Sequence, residues 1–247
     1  MESVCTAYLK RIGGYLAPGF EPISFDIDGF EQEASVIIPV RNRVRTIEDA
    51  IRSALMQETT FRFNLIIVDN HSTDGTSEAI EKYTADKRVI HLIPERFDLG
   101  IGGCWNVGVH HPACGKFAVQ LDSDDVYSGP DTLQKIVNAF YEQNCAMVVG
   151  TYRMTDFKMN EIPPGIIDHR EWTPDNGRNN ALRINGLGAP RAFYTPVLRQ
   201  INLPNTSYGE DYALGRVSPA PGRSGASMMS CTSAAVGKTI RMRRLTS

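Results

Sequence analysis

Three aspartates crowd the stretch LDSDDVY, at Asp122, Asp124 and Asp125, directly behind the apolar run KFAVQL. Like charges this close repel, and without a cation one of them would take up a proton. Asp122 and Asp124 are two apart, so in a turn both can face one cleft. Oxygen donors of this kind suit Mg2+ or Mn2+, which carboxylates hold together with substrate phosphates and water. A lone Asp in this place would read as a helix or turn cap; three at a strand's end favour a metal. A calcium loop is excluded, because its oxygen ligand and its glycine would fall on Val126 and Tyr127. Two further polar clusters follow apolar runs: PVRN, from Pro39 to Asn42, and VDNHSTDGT, from Val68 to Thr76.

Such clusters need elements to place them. The segments 34–40, 64–69, 88–93, 116–121 and 146–150 are short, continuous apolar runs that read as buried strands, Pro39 closing the first. Residues 46–57 carry apolar side chains at 47, 50, 51, 54 and 55, the spacing of a helix face, with Thr46 as N-cap. Further helices are expected after HSTDGT, with Asp74 as N-cap, and over 103–110 and 130–143. Continuous apolar strands alternating with helices predict an α/β fold, a mostly parallel sheet with helices on both faces. Ligands of such sheets sit outside the carboxyl ends of the strands, and the three polar clusters fall there. Residues 155–184 read as a polar loop beside the site, where His169 and Trp172 are either sugar contacts or solvated loop residues.

The chain has 247 residues, enough for one large α/β domain or two small ones. Its formal net charge of -2 argues against a dedicated nucleic-acid binder. It holds no apolar run of transmembrane length, and its first residues lack the pattern of a signal peptide. Five cysteines, none in C-x-x-C spacing, favour free thiols in a reducing cytoplasm over a zinc site.

Four stretches in order, ASVIIPVRNRVRTIEDAIRSALMQ, LIIVDNHSTDGTSEAI, LDSDDVY and YGEDYALG, closely resemble family 2 glycosyltransferases of the GT-A fold, roughly over residues 34 to 216. The resemblance implies a nucleotide-diphospho-sugar transferase: an inverting, metal-dependent enzyme moving a sugar from a nucleotide-diphosphate donor, UDP-linked, to a glycan or lipid-linked acceptor. Cell-envelope or exopolysaccharide synthesis is the implied setting, in the cytoplasm and at the inner face of the membrane where the acceptor is a lipid. Pro39, Val40, Arg41 and Asn42 would cup base and ribose. Asp69 would accept an N–H from the base, since a carboxylate only accepts; its alternative task is to order its own turn with Asn70 and Ser72. The segment GIGGCWNVGV would bring Gly100 and Asn106 to the nucleotide, glycines letting backbone approach a ligand. Trp105 departs from the basic residue the family often carries there, and reads equally well as core. Asp122 and Ser123 would contact the donor, and Asp124 would hold Mn2+ or Mg2+ against its diphosphate, supported by Asp125. Asp211 would take the acceptor's proton, supported by Glu210; the alternative is a pair of acids favouring a helix N-terminus. Residues 185–190 would form an acceptor-side strand and turn.

Two other readings are open. An apolar strand with D-x-D-x-V also resembles the nucleophile loop of haloacid-dehalogenase-like phosphatases, with Asp122 phosphorylated and Asp124 as acid/base. That loop usually follows the first strand, whereas three strand–helix units precede it here. The other concerns the ends. Residues 1–33 read as an arm, and 217–247 as a small-residue, basic, aperiodic and disordered tail. Back-translated in a shifted frame from Arg223, suitable codon choices turn the tail into strand-like sequence, and the codons of Met228 and Met229 force an Asp. A frameshifted tail would leave a catalytically impaired, nucleotide-binding relic.

Overall fold

The computed structural model describes residues 2–17, 23–168, 177–180, 189–216 and 238–242. An opening helix α1 (Glu2–Arg11) precedes strand β1 (Ala34–Val40), helix α2 (Ile47–Leu55), strand β2 (Phe63–Asp69), helix α3 (Thr76–Glu81) and strand β3 (Val89–Leu92). Helix α4 (Ile101–His110), strands β4 (Phe117–Gln120) and β5 (Asp125–Tyr127), helix α5 (Thr132–Gln143) and strands β6 (Met147–Val149), β7 (Thr151–Thr155) and β8 (Glu161–Ile167) follow. Then come α6 (Gly177–Asn180), β9 (Arg191–Tyr194), α7 (Thr195–Ile201), α8 (Glu210–Arg216) and β10 (Lys238–Met242).

The six-stranded main sheet runs β3-β2-β1-β4-β9-β6, with β3, β2, β1 and β4 mutually parallel. Among the described residues of this sheet, only β9 runs against its neighbours, β4 and β6. All seven residues of β2 are buried, as a strand covered on both faces requires. The core joins Ile37, Ile38, Ile66 and Ile67 of the strands to Ile47 and Ile51 of α2, Trp105 of α4 and Phe140 of α5. Trp105 is 2% exposed and meets Phe193 edge to face at 6.0 Å, so it packs the core. Pairing of β1 with β4 stops at Ile37–Gln120, before Pro39, whereas pairing with β2 runs on to Val40–Asp69. Pro39, which has no N–H to give, therefore sits inside β1 and does not close it.

A second sheet, β5-β10-β7-β8, stands beside the aspartate loop. Sequence reasoning reads a loop from 155 and no strand period in 217–247. Yet β8 (EIPPGII) pairs with β7 as an edge strand, where prolines are tolerated, and β10 pairs with both β5 and β7. Helix α1 likewise stands in the expected arm, with no buried residue to give it a core-facing pattern. Thr46 occupies the N-cap of α2 without a side-chain cap bond.

Candidate active site

Strands β2, β1 and β4 are neighbours ending at Asp69, Val40 and Gln120, which collects their loops on one edge. Because β9 is antiparallel, its first residue arrives at this same edge. With Ala192 opposite Val119, Arg191 falls beside Gln120.

The loops after β1 and β2 are stitched together. The Asn42 N–H donates to Ser72 Oγ at 3.0 Å, and Asn42 Oδ1 accepts from the Thr73 N–H at 2.8 Å. The Arg43 N–H donates to Thr76 Oγ1 at 2.8 Å, and the Val44 N–H to Asp74 Oδ2 at 3.2 Å. The cap of α3 is Gly75 at φ 95°, a conformation glycine adopts without strain. Asp74, expected as the cap, lies one residue earlier and accepts from the Thr76 N–H at 3.1 Å. Val40 is buried and Pro39 half-buried, while Arg41 and Asn42 are exposed at the rim.

Asp69 is fully buried. Its Oδ1 accepts from the Ser72 N–H at 3.0 Å; its Oδ2 accepts from the Ser77 hydroxyl and lies 3.5 Å from His91 Nε2. Burial would raise the Asp69 pKa, but His91, Ser72 and Ser77 together outweigh it and hold the carboxyl well below the usual range. The same contact with Asp69, against the pull of burial, raises the His91 pKa. At 3.5 Å this contact is charge attraction more than an aligned hydrogen bond. These are the contacts of a carboxylate that orders its turn.

The aspartate loop joins a buried polar chain. Gln120 is 2% exposed although its strand is otherwise apolar. Its Nε2 donates to Asp122 Oδ1 at 2.6 Å, and its Oε1 accepts from Arg191 Nε at 2.8 Å. Arg191 Nη1 then donates to Asp211 Oδ2. Glu210 is buried beside this group; burial pushes its pKa up, the charges of Asp211 and Asp122 add to that, and Arg191 opposes it. Ser123 and Asp125 are buried, Asp125 opening β5 with its N–H on the Asp122 carbonyl at 3.0 Å, while Asp122 and Asp124 are half-buried. Among the described residues no three His, Cys, Asp or Glu side chains converge to hold a metal by themselves. A hard cation at Asp124 would therefore need oxygens from a ligand, the usual arrangement for Mg2+; the oxygen-only donor set fits it.

Helix α4 departs from expectation. A Cβ at Gly100 would lie 2.6 Å from the Thr206 carbonyl carbon, and one at Gly102 would lie 2.0 Å from the Pro204 oxygen and 3.2 Å from Glu210 Cβ. At these positions the glycines admit the chain segment 204–207 and the Glu210 side chain. Asn106 holds the residue just before that segment: its Nδ2 donates to the Leu203 carbonyl at 2.8 Å and its Oδ1 accepts the Leu203 N–H at 2.9 Å. Together these contacts deliver the start of α8, with Glu210 and Asp211, to the sheet edge. Arg191 and Gln120 were not among the sequence candidates. His169, Trp172, residues 185–188 and most of 217–247 lie outside the described residues.

The sequence profile of glycosyl transferase family 2 matches residues 35–202. An uncharacterized glycosyltransferase of Rickettsia felis is 37% identical over 187 residues, covering 74% of this chain and 30% of its own. Poly(ribitol-phosphate) beta-N-acetylglucosaminyltransferase TarS of Staphylococcus aureus is 27% identical over 169 residues, 67% of this chain and 28% of its own. The crystal structure of TarS residues 1-349 in complex with UDP-GlcNAc superposes with TM-score 0.61 at 21% identity, over 87% of this chain and 60% of that one. A mannosyltransferase of Pyrobaculum calidifontis, in complex with GDP-Man and Mn2+, gives TM-score 0.55 at 19% identity, over 87% and 58%. The chain spans about a third of the length of the first relative, and the structural likeness at this identity establishes the fold.

Proposed function

The chain belongs to glycosyl transferase family 2, and on that premise we propose that it transfers a sugar from a nucleotide-diphosphate donor to an acceptor hydroxyl, with inversion. The observation that carries this reading is the convergence of Asp122, Glu210, Arg191 and Asp211 at the carboxyl edge of the parallel strands, beside the stitched loops of β1 and β2. The family assignment removes the phosphatase-like reading of Asp122.

Pro39, Val40, Arg41 and Asn42 line the donor side, with Asp69 holding the neighbouring turn in shape from within. Asp122 and Ser123 face the donor. Asp124 would hold Mn2+ or Mg2+, which supplies neutralisation of the charge that gathers on a departing diphosphate; Mn2+ in the Pyrobaculum complex supports that choice. Asp211 accepts the proton of the attacking hydroxyl, so that the new bond forms opposite the leaving group. Glu210 lies alongside in a site where burial favours its protonated form. UDP-GlcNAc in the TarS complex supports a UDP-linked donor, and the poly(ribitol-phosphate) in that enzyme's name supports a polymer as acceptor. No helix among the described residues is long and apolar enough to cross a membrane.

A thermal-shift screen of nucleotides and nucleotide sugars, with and without Mn2+, tests this. A ligand at a hundredfold excess over its Kd stabilises the native state by about 2.7 kcal/mol. UDP or a UDP-sugar should raise the melting temperature, more so with Mn2+. No shift with any nucleotide would contradict the proposal.

A further inference from the structure

We propose that Arg191 is a positioning residue for Asp211, and that Gln120 makes that positioning answer to Asp122 on the donor side; this rests on the transferase reading above. In the chain Asp122–Gln120–Arg191–Asp211 donation runs outward from Arg191 to a carboxylate at each end. The amide nitrogen of Gln120 gives to one carboxylate, its oxygen takes from the guanidinium, and the guanidinium gives to the other carboxylate. Reversing the Gln120 amide would set donor against donor at Arg191 and acceptor against acceptor at Asp122, so its orientation is fixed by its two neighbours.

Exposure keeps the link strong. Gln120 is 2% exposed, and the side chains of Arg191 and Asp211 are 11% and 16% exposed, so water competes little for these bonds. Backbone anchors both ends: Arg191 opens a strand paired on both sides, and α8 is seated on the glycines of α4. A shift of Asp122 on meeting a donor would pull the amide, turn the guanidinium and re-aim Asp211 Oδ2, leaving Oδ1 to face the acceptor. Arg191 touches neither substrate in this scheme. Simple fastening of α8 to the sheet would need Arg191 and Asp211 but not Gln120, and the two ideas separate there.

The test measures UDP or GDP release by the full chain, with UDP-GlcNAc and GDP-mannose as donor probes in the presence of Mn2+ and water taking the sugar in place of the acceptor hydroxyl. Gln120→Met cuts the link while the Arg191–Asp211 pair stands; it should lower kcat about tenfold with donor KM changed less than about threefold. Arg191→Met should lower kcat about a hundredfold and Arg191→Lys should restore part of it, because a charge without the planar fork positions less well. In an Asp211→Asn background, Arg191→Met should cost less than about twofold further, since it acts through Asp211. If Arg191→Met proves unstable, the Gln120→Met result stands alone. An unchanged kcat in Gln120→Met, or an equal cost of Arg191→Met with and without Asp211, would overturn the inference and leave the transferase reading intact. A wild-type chain that releases nothing from either probe would overturn both.

Discussion

At the residue scale the account turns on Asp211 and on the buried pair Asp69–His91. Asp211→Asn keeps the shape and removes the basic oxygen; kcat should fall by about 10²- to 10⁴-fold with little change in donor affinity, measured by nucleotide release. The buried pair makes a prediction about stability. His91 binds its proton more tightly folded than unfolded, so its contribution is complete below the ordinary value of 6.5 and disappears as pH rises through the raised folded value. Asp69, lowered by its partners, contributes from its ordinary range upward and loses that contribution only in strong acid. His91→Asn should therefore destabilise by about 1 kcal/mol more near pH 5.5 than near pH 9, read from melting curves at both. An equal loss at both would mean that packing, not charge, is what His91 supplies. Of these residues, the acids stood out as candidates because three carboxylates at a strand end and an E-D pair concentrate charge in short stretches of sequence. Arg191 and Gln120 did not: a lone Gln in an apolar strand and an Arg opening a strand carry no local signal. Only the antiparallel register of β9 brings them together.

At the scale of elements, α4 matters most. Its glycines read as a route for backbone to reach a ligand, and the structure fills that space with its own chain at 204–206. Sequence could not tell the two apart, because both require the same absent side chain. Gly102→Ala should cost about 1–3 kcal/mol, since the added carbon meets backbone that has no room to give. It should also disturb turnover, because Glu210 leans on the same spot at 3.2 Å. Gly129→Ala, where the added carbon would meet only a side-chain oxygen of Asp131 at 3.4 Å, is the control and should change stability little. Chemical denaturation of the two variants checks both. The helix period of α2 and the continuous apolar runs of β1 and β2 were readable directly, since burial on one or both faces leaves a periodic trace. Strand β8 was not, because Pro163, Pro164 and Gly165 conceal an edge strand behind turn-like composition.

At the scale of the whole molecule, the main sheet sets the function by geometry. Parallel strands put three loops on one edge, and one reversed strand adds an arginine from residues far along the chain. The alternation of strands and helices foretold the parallel part; the reversed strand and the small second sheet depend on long-range pairing that no local pattern announces. Strand β10 places the backbone of 238–242 between β5 and β7, where the sequence reading expects a shifted-frame, disordered tail. Sequencing the source locus tests the shifted frame: an intact frame through the last codon rules it out. The most direct measurement of the central claim is a crystal of the full chain grown with UDP and Mn2+, with data collected at the manganese absorption edge. The account predicts an anomalous peak between Asp124 and the diphosphate, with the base beside the loop of Pro39 to Asn42. UDP bound in that cleft with no manganese at the aspartates, or manganese and UDP bound elsewhere, would contradict it.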